Sequence, residues 1–383
     1  MANTLKFGAG QWATKEGSTL AYNDENDNYK PLPFTFTRAS NATVVNKAGL
    51  IETVGNAIPR IDFLGNTQCA LKLEPQSTNL YSYSNKSSEW LKTNWTTTDN
   101  YAISPDGTQN AFRAVSLNNS GILYQTATGS SGVNTLSVYA KSNTSTNQKF
   151  RFFGNGNTLT SNDFTVTNEW KRIEWSYTYS SVTSGIKGAS NELSDILFFG
   201  FQHEVNDFAT SYISTSGSSV TRLADSCNNG ANEQVINSTE GVLYAEIKGF
   251  ISQDTIEQNR YITITNGTSN ERVALLLGGN PNQLRAIIYS STQSINLSFT
   301  TSLTDVKQYN KLAVKYKSGD YAFFLNGVKI GSSTITNAFS ENTLNDLSFD
   351  VGGGTQQFRG NVKDVKLYDT ALTDQELIAL TTI

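Results

Sequence analysis

The spacing of turn residues is what most narrows the folds open to this chain. Short runs rich in Val, Ile, Thr, Tyr and Phe recur along it, and each is closed within a few residues by Gly, Ser, Asn or Thr. Runs of that length and composition read as strands. In Glu169 to Tyr179, Ile173, Trp175, Tyr177 and Tyr179 share one face by period two, with Arg172 and Glu174 opposite. Leu243, Ala245 and Ile247 alternate in the same way with Tyr244, Glu246 and Lys248, as do Leu312, Val314 and Tyr316 with Lys311, Lys315 and Lys317. Ile196 to Phe201 is apolar on both sides, the pattern of a central strand covered on both faces. Asn326-Gly327 between apolar-rich runs predicts a two-residue hairpin turn. Near the end, Thr373-Asp374-Gln375-Glu376 is a capping box that opens one short helix, from which Leu377 and Leu380 can pack back. The fold class is therefore all-β.

With 383 residues the chain is expected to form two or three units, each able to bury a core. Its net charge of -4 arises from 33 acidic and 29 basic residues that are well mixed, so no basic block is present to track nucleic acid or grip a membrane. Without a signal-like start or an apolar run near membrane-spanning length, the expectation is a soluble protein made in a cytoplasm, with no membrane insertion. Cys69 and Cys227 fall in different expected domains and read as small apolar side chains rather than a disulfide framework. A lone histidine, His203, leaves little for catalysis or transition-metal binding and reads as a strand residue. Asp24, Asn26 and Asn28 have the first spacings of a calcium loop, but Tyr29 stands where the sharp turn needs Gly and Thr35 where a bidentate Glu belongs.

Residues 1–33 mix isolated aromatics with polar and glycine punctuation and do not form a core alone. Phe7, Trp12, Tyr22 and Phe34 read as anchors of an extended N-terminal arm, docked on a partner subunit or folded back on its own domain. Short strands follow at Phe34 to Thr37, Thr43 to Val45, Leu50 to Val54, Arg60 to Phe63 and Ala70 to Glu74. A series of strand-like runs then fills 81–225, as in a sandwich or jelly roll. The Ser- and Thr-rich stretch Phe208 to Asp225 closes that region, and a second sandwich occupies 235–383.

Arg38-Ala39-Ser40, Gly49-Leu50-Ile51, Pro59-Arg60 and Leu73-Glu74-Pro75-Gln76-Ser77-Thr78-Asn79-Leu80, in that order, resemble a module of tail-fibre and head-fibre proteins of tailed bacteriophages. Phe208 to Ile213 with Val220-Thr221-Arg222-Leu223-Ala224-Asp225 resembles the last strand of that module, with Ser214 where the family commonly has Pro. The opening residues are also similar to those of structural proteins from crAss-like phages. Phe324-Leu325-Asn326-Gly327-Val328, Gly360 to Asp369 and Ala371-Leu372-Thr373 resemble the concanavalin-like, laminin G-like sandwich.

Together these resemblances imply a virion-attaching arm over 1–33, with Phe7, Trp12, Tyr22 and Phe34 as its contacts, then a β linker module over 34–80. A carbohydrate-binding-like jelly roll over 81–225 and a laminin G-like domain over 235–383 follow. The implied protein is a structural component of the virion, assembled in the bacterial cytoplasm: a capsid-attached head fibre, homo-oligomeric and trimeric, contacting capsid proteins and host-surface glycan or protein. The alternatives are a tail fibre or receptor-binding protein and, less favoured, a polysaccharide-degrading enzyme. The enzyme reading is weakened because Glu246 has no local carboxylate on its face, its neighbours being Tyr244 and Lys248. No cofactor is expected beyond calcium, for which Asp320, Asp350 and Asp364 are the candidates. Tyr261, Tyr289, Tyr309, Tyr321 and Phe358 are the aromatics that would stack on sugars if exposed.

Overall fold

The computed structural model describes residues 4–7, 12–15, 18–23, 28–63, 68–127, 132–178, 183–250, 259–278, 280, 282–303 and 305–383, and before Phe34 it describes side-chain environment for Trp12 alone. Among the described residues there is a single α-helix, Asp374–Thr381, and nearly everything else regular is strand. Among the described residues no helix is long and apolar enough to cross a membrane. The chain divides into two compact units, both discontinuous in sequence: the first is Met1–Ser40, Gly55–Pro75 and Ala224–Ile383, the second Asn41–Val54 and Gln76–Leu223.

The first unit is a sandwich. One sheet runs in the order Val328–Ser333, Tyr321–Leu325, Asn310–Lys317, Glu240–Gly249, Gly360–Tyr368, Cys69–Leu73 and Arg60–Phe63. The other runs Ile295–Ser302, Gln283–Ser290, Glu271–Leu277, Arg260–Thr265 and Asp346–Ser348. Leu243, Ala245, Ile247, Leu312 and Val314 from the first sheet meet Ile262, Ile264, Val273, Leu275 and Ile288 from the second in one buried cluster. Their period-two spacing is what turns them all inward. The Asn326-Gly327 turn has φ of +49° and +81°, the pair of positive angles a type I′ hairpin requires. In the helix, Thr373 accepts from the Glu376 amide while Glu376 reaches back, and Leu377 packs on Val242, Tyr244, Ala313 and Phe324 on the outer face of the longer sheet.

Three expectations about organisation meet the structure here. Of the two dispositions open to residues 1–33, the described strands take the one folded back on the same chain: Thr4–Phe7 pairs with the end of Gly360–Tyr368, and Ala13–Lys15, Ser18–Asn23 and Asn28–Thr37 form a sheet completed by Ser226–Asn228. Trp12 and Phe34, too widely spaced to make a core of their own, are gathered into the core of the same chain. The segment 34–80 is divided, its parts belonging alternately to the two units. Finally, Cys69 and Cys227 lie in the same unit, both buried thiols that burial raises above their ordinary range.

The second unit is also a two-sheet sandwich. Trp95–Ala102, Ala111–Ser116, Asp195–Glu204, Val133–Ser142 and Lys171–Thr178 form one sheet, and Leu91–Thr93, Ile122–Thr126, Thr183–Gly188, Gln148–Gly154 and Leu159–Thr160 the other, with Phe164–Val166 also on Gln148–Gly154. Phe112, Phe150, Phe152, Ile173, Ile186, Phe198 and Phe201 fill the space between them. Phe150 meets Phe198 edge-on with centroids 5.2 Å apart, a favoured aromatic geometry. Ile196, Leu197, Phe198, Phe199 and Phe201 are all buried, as the two-sided apolar run requires.

Candidate functional site

Four charged residues of the phage-like motifs converge in the first unit. Arg38 follows the strand Asn28–Thr37, Arg60 opens Arg60–Phe63, Glu74 follows Cys69–Leu73, and Asp225 precedes Ser226–Asn228. Arg38 Nη1 lies 3.1 Å from Asp225 Oδ1 and Arg60 Nη1 2.5 Å from Glu74 Oε2, while Arg60 Nη2 bonds Asp225 Oδ2. Arg38 also donates to the carbonyls of Ser40, Ile58 and Gly55, and the Glu74 amide donates to Asp225 at 2.8 Å. All four residues are buried. Burial by itself would lower the Arg60 pKa; the charges of Glu74 and Asp225 outweigh it and raise it. Two cations and two anions thus share a buried space with no net charge among the four, a geometry whose worth lies in the cost of breaking it. The chain leaves or re-enters this unit after Ser40, before Gly55, after Pro75 and before Ala224. Each passage lies a few residues from a member of the cluster.

The other half of the same motif serves the second unit. Ser77 and Thr210 hydroxyls donate to Glu204 Oε1 at 2.6 and 2.5 Å, and the Thr210 amide donates to Oε2. Asn79 donates to the carbonyls of Phe201 and Ile213 and accepts from the His203 amide. Burial raises the Glu204 pKa against these hydrogen bonds. His203, fully buried, lies 3.1 Å from Ser184 Oγ and 3.0 Å from Asn134 Oδ1, and Ser184 also meets Tyr81 Oη at 2.8 Å. Desolvation pushes the imidazole down to about 4. It is a neutral core residue in a hydrogen-bonded file, as its position in a strand suggests.

The calcium candidates do not meet. Asp350 is buried, and its carboxylate accepts from the amides of Gly352, Gly353 and Gly354 at 2.6, 3.3 and 3.2 Å, so it shapes its own loop. Asp320 pairs with Lys315, which also holds Asp374. Asp364 pairs with Lys366 at 2.8 Å. Among the described residues no group of three or more His, Cys, Asp or Glu is placed to hold a metal ion. Asp24 and Asn26 lie outside the described residues.

Sequence reasoning missed one pair. Asp364 stands directly opposite Glu246 across neighbouring strands, giving Glu246 the carboxylate neighbour that its own strand lacks. Only strand register reveals it, because period two reports a face and not what the next strand brings there. Glu246 pairs with Lys363 at 2.9 Å, so each carboxylate has its own lysine.

Of the proposed anchors, Trp12 is buried and donates through Nε1 to the Lys363 carbonyl at 3.1 Å, and Phe34 is buried 5.4 Å from Phe349. The backbones of Phe7 and Tyr22 pair with Val365 and Tyr29; their side chains lie outside the described residues. Tyr261, Tyr321 and Phe358 are buried, while Tyr289 and Tyr309 are half-buried with Arg272 and Lys363 over their rings. Tyr261, Tyr321 and Phe358 therefore offer no open stacking face. In the second unit Tyr101 is 43% exposed, beside the Arg113 guanidinium.

Residues 250–378 match a laminin G family model described as the concanavalin A-like lectin/glucanases superfamily. No curated protein matches the chain. Similar solved structures include the CBM40 of Ruminococcus gnavus IT-sialidase bound to alpha2,3 sialyllactose, at 19% identity over 38% of this chain and 83% of that one, TM-score 0.32. Domain 4 of AbnA, a GH43 extracellular arabinanase from Geobacillus stearothermophilus, is 16% identical over 46% of this chain and 84% of that one, TM-score 0.32. The SAP-like pentraxin of Limulus polyphemus is 16% identical over 38% of this chain and 70% of that one, TM-score 0.30. Likenesses at these TM-scores bear no functional inference. The first unit contains a laminin G/concanavalin-like domain.

Proposed function

We propose that this chain is a non-enzymatic structural protein of a tailed-phage virion, a capsid-attached head fibre whose β-sandwich units contact glycan or protein at the host surface. The observation that carries this reading is the fate of the residues behind the phage-fibre resemblance. Arg38, Arg60, Glu74 and Asp225 form one buried ionic cluster, and Ser77 and Asn79 join Glu204 in a second buried network. The motif is architectural, as the linking module of a fibre would be. The facing Glu246 and Asp364 favour a structural role over glycosidase chemistry, because each is ion-paired with its own lysine. As a fibre component the protein would be a symmetric homo-oligomer, a trimer in this reading. With Trp12 and Phe34 inside the core, attachment to the capsid would use other surfaces of the first unit.

Immunogold electron microscopy of virions with antibody against the full chain tests the assignment. Gold around the head supports the head fibre. Gold confined to the tail replaces it with a tail fibre or receptor-binding protein, and unlabelled particles overturn the virion reading.

A further inference from the structure

We propose that Asn266 is a self-modifying site: it loses its side-chain nitrogen as ammonia and becomes aspartate and isoaspartate, with water as co-reactant, ahead of every other Asn-Gly step in the chain. The inference is independent of the virion reading.

Asn-Gly occurs four times, at Asn155-Gly156, Asn229-Gly230, Asn266-Gly267 and Asn326-Gly327. The chemistry is intramolecular. The backbone nitrogen of the glycine, deprotonated by hydroxide, attacks the asparagine Cγ. A C–N bond forms to close a succinimide ring, and the bond to the side-chain nitrogen breaks, releasing ammonia. Water then opens the ring at either carbonyl, giving aspartate or isoaspartate with no oxidation or reduction. Glycine favours the attack because no Cβ shields its nitrogen. By sequence the four steps are therefore alike, and the fold sets them apart.

At Asn266 the fold leaves the nucleophile unengaged and polarises the electrophile. Asn266, Gly267 and Thr268 are exposed, in the turn between Arg260–Thr265 and Glu271–Leu277. Among the described residues no hydrogen bond is made by the Gly267 amide, and the space where its Cβ would lie is open. Asn266 Oδ1 accepts from the Thr268 amide at 3.2 Å and from Thr268 Oγ1 at 2.7 Å. Thr268 Oγ1 itself accepts from the Asn270 amide at 3.2 Å, which directs its proton towards Oδ1. Two donors thus await the negative charge that develops on Oδ1 as nitrogen adds to Cγ, the logic of an oxyanion site. Thr265 Oγ1 holds the Thr268 carbonyl at 2.5 Å and fixes the turn.

The other three steps are restrained. Gly230 is buried and its amide donates to the Leu347 carbonyl at 2.9 Å, while Asn229 Nδ2 donates to Thr35 Oγ1 at 3.2 Å. The Gly327 amide donates to Thr381 Oγ1 at 3.1 Å. Asn326 accepts through Oδ1 from the Lys311 amide at 2.9 Å and donates through Nδ2 to Asn310 Oδ1 at 2.8 Å, so its side chain is held from both ends. Asn155 donates through Nδ2 to the Thr158 hydroxyl, which ties down the leaving nitrogen. Bonds at the glycine amide or at Nδ2 have to break before the ring closes, and losing one or two of them slows the step by about tenfold.

The test incubates the full chain at mildly alkaline pH, folded and in urea, and follows all four steps by peptide mass mapping, with isoaspartyl methyltransferase labelling to detect isoaspartate. In the folded chain Asn266 should convert about tenfold or more faster than Asn229 and Asn326, and ahead of Asn155. In urea the four rates should converge. Thr268→Val, which removes one donor to Oδ1, should slow conversion of Asn266 severalfold in the folded chain, and Thr268→Ser should retain the rate. Conversion of any other Asn-Gly step first, no conversion at Asn266, or the same preference persisting in urea overturns the proposal. So does a rate in Thr268→Val that is unchanged or raised.

Discussion

At the residue scale the chain concentrates its risk in a few buried polar groups. Asp225 accepts from Arg38, from Arg60 and from the Glu74 amide in a buried space, so Asp225→Ala would leave two guanidiniums facing the single carboxylate of Glu74. Leaving buried charge uncompensated costs about 3–5 kcal/mol. Urea denaturation of Asp225→Ala at neutral pH should show a loss of that order, and a loss under about 1 kcal/mol would mean that the cluster is dispensable. His203 makes a pH prediction. Its folded value of about 4 lies below the ordinary 6.5, so between those values the unfolded chain binds a proton that the folded chain refuses. Stability therefore rises with pH through this window and is lost as pH falls from about 6.5 towards 4, by up to about 3 kcal/mol. His203→Gln should flatten the difference in urea midpoint between pH 7 and pH 4.5. An unchanged difference would place the titration elsewhere.

At the scale of elements, period two and turn chemistry were readable directly. The strands around Ile173, Leu243 and Leu312, the Asn326-Gly327 hairpin and the capped terminal helix lie where the sequence places them. What alternation does not disclose is the layer above a face. Tyr244 sits on the side that reads as polar, yet it is buried because Leu377 of the helix packs there. Tyr261, Tyr321 and Phe358 read as possible sugar platforms and are buried, Tyr321 and Phe358 in the core between the sheets and Tyr261 beside Leu276 and Val351. Pairings between distant segments were equally hidden, since nothing local joins Asp364 to Glu246 or Arg60 to Asp225. Even so, the motif stretches Pro59-Arg60, Leu73 to Leu80 and Val220 to Asp225 hold Arg60, Glu74, Ser77, Asn79 and Asp225 of the two buried networks, without saying that they are networks. The helix gives an element-level test. Thr373→Ala removes one half of a capping box and should lower stability by about 1 kcal/mol in chemical denaturation, while Asp374→Asn at the next position should act mainly by weakening the pairs to Lys315 and Lys329. Equal stability of Thr373→Ala and wild type would show that the helix end contributes nothing to the sandwich.

At the scale of the whole molecule, the interleaving of the two units changes what can be cut out of it. Read from sequence, residues 235–383 look like a domain that could be studied alone. In the structure the strand Gly360–Tyr368 pairs with Leu71–Leu73 along one part of its edge and with Thr4–Phe7 along another, and Trp12, Phe34, Phe36, Leu71 and Leu73 belong to the same core as Leu243 and Leu275. Burial of large apolar side chains contributes about 2 kcal/mol each. Losing that group together removes an amount comparable with the whole stability of a domain, about 5–15 kcal/mol. A fragment from Asn237 to Ile383 should therefore lack a cooperative thermal transition and elute from size exclusion as aggregate, whereas the full chain melts cooperatively. A fragment that melts cooperatively at the full-chain midpoint would show that the strands before Pro75 are accessory and that the laminin G-like region folds by itself. Until that outcome is seen, failure of such a fragment to bind a glycan measures its folding and not its specificity, and adhesion has to be assayed on the intact chain.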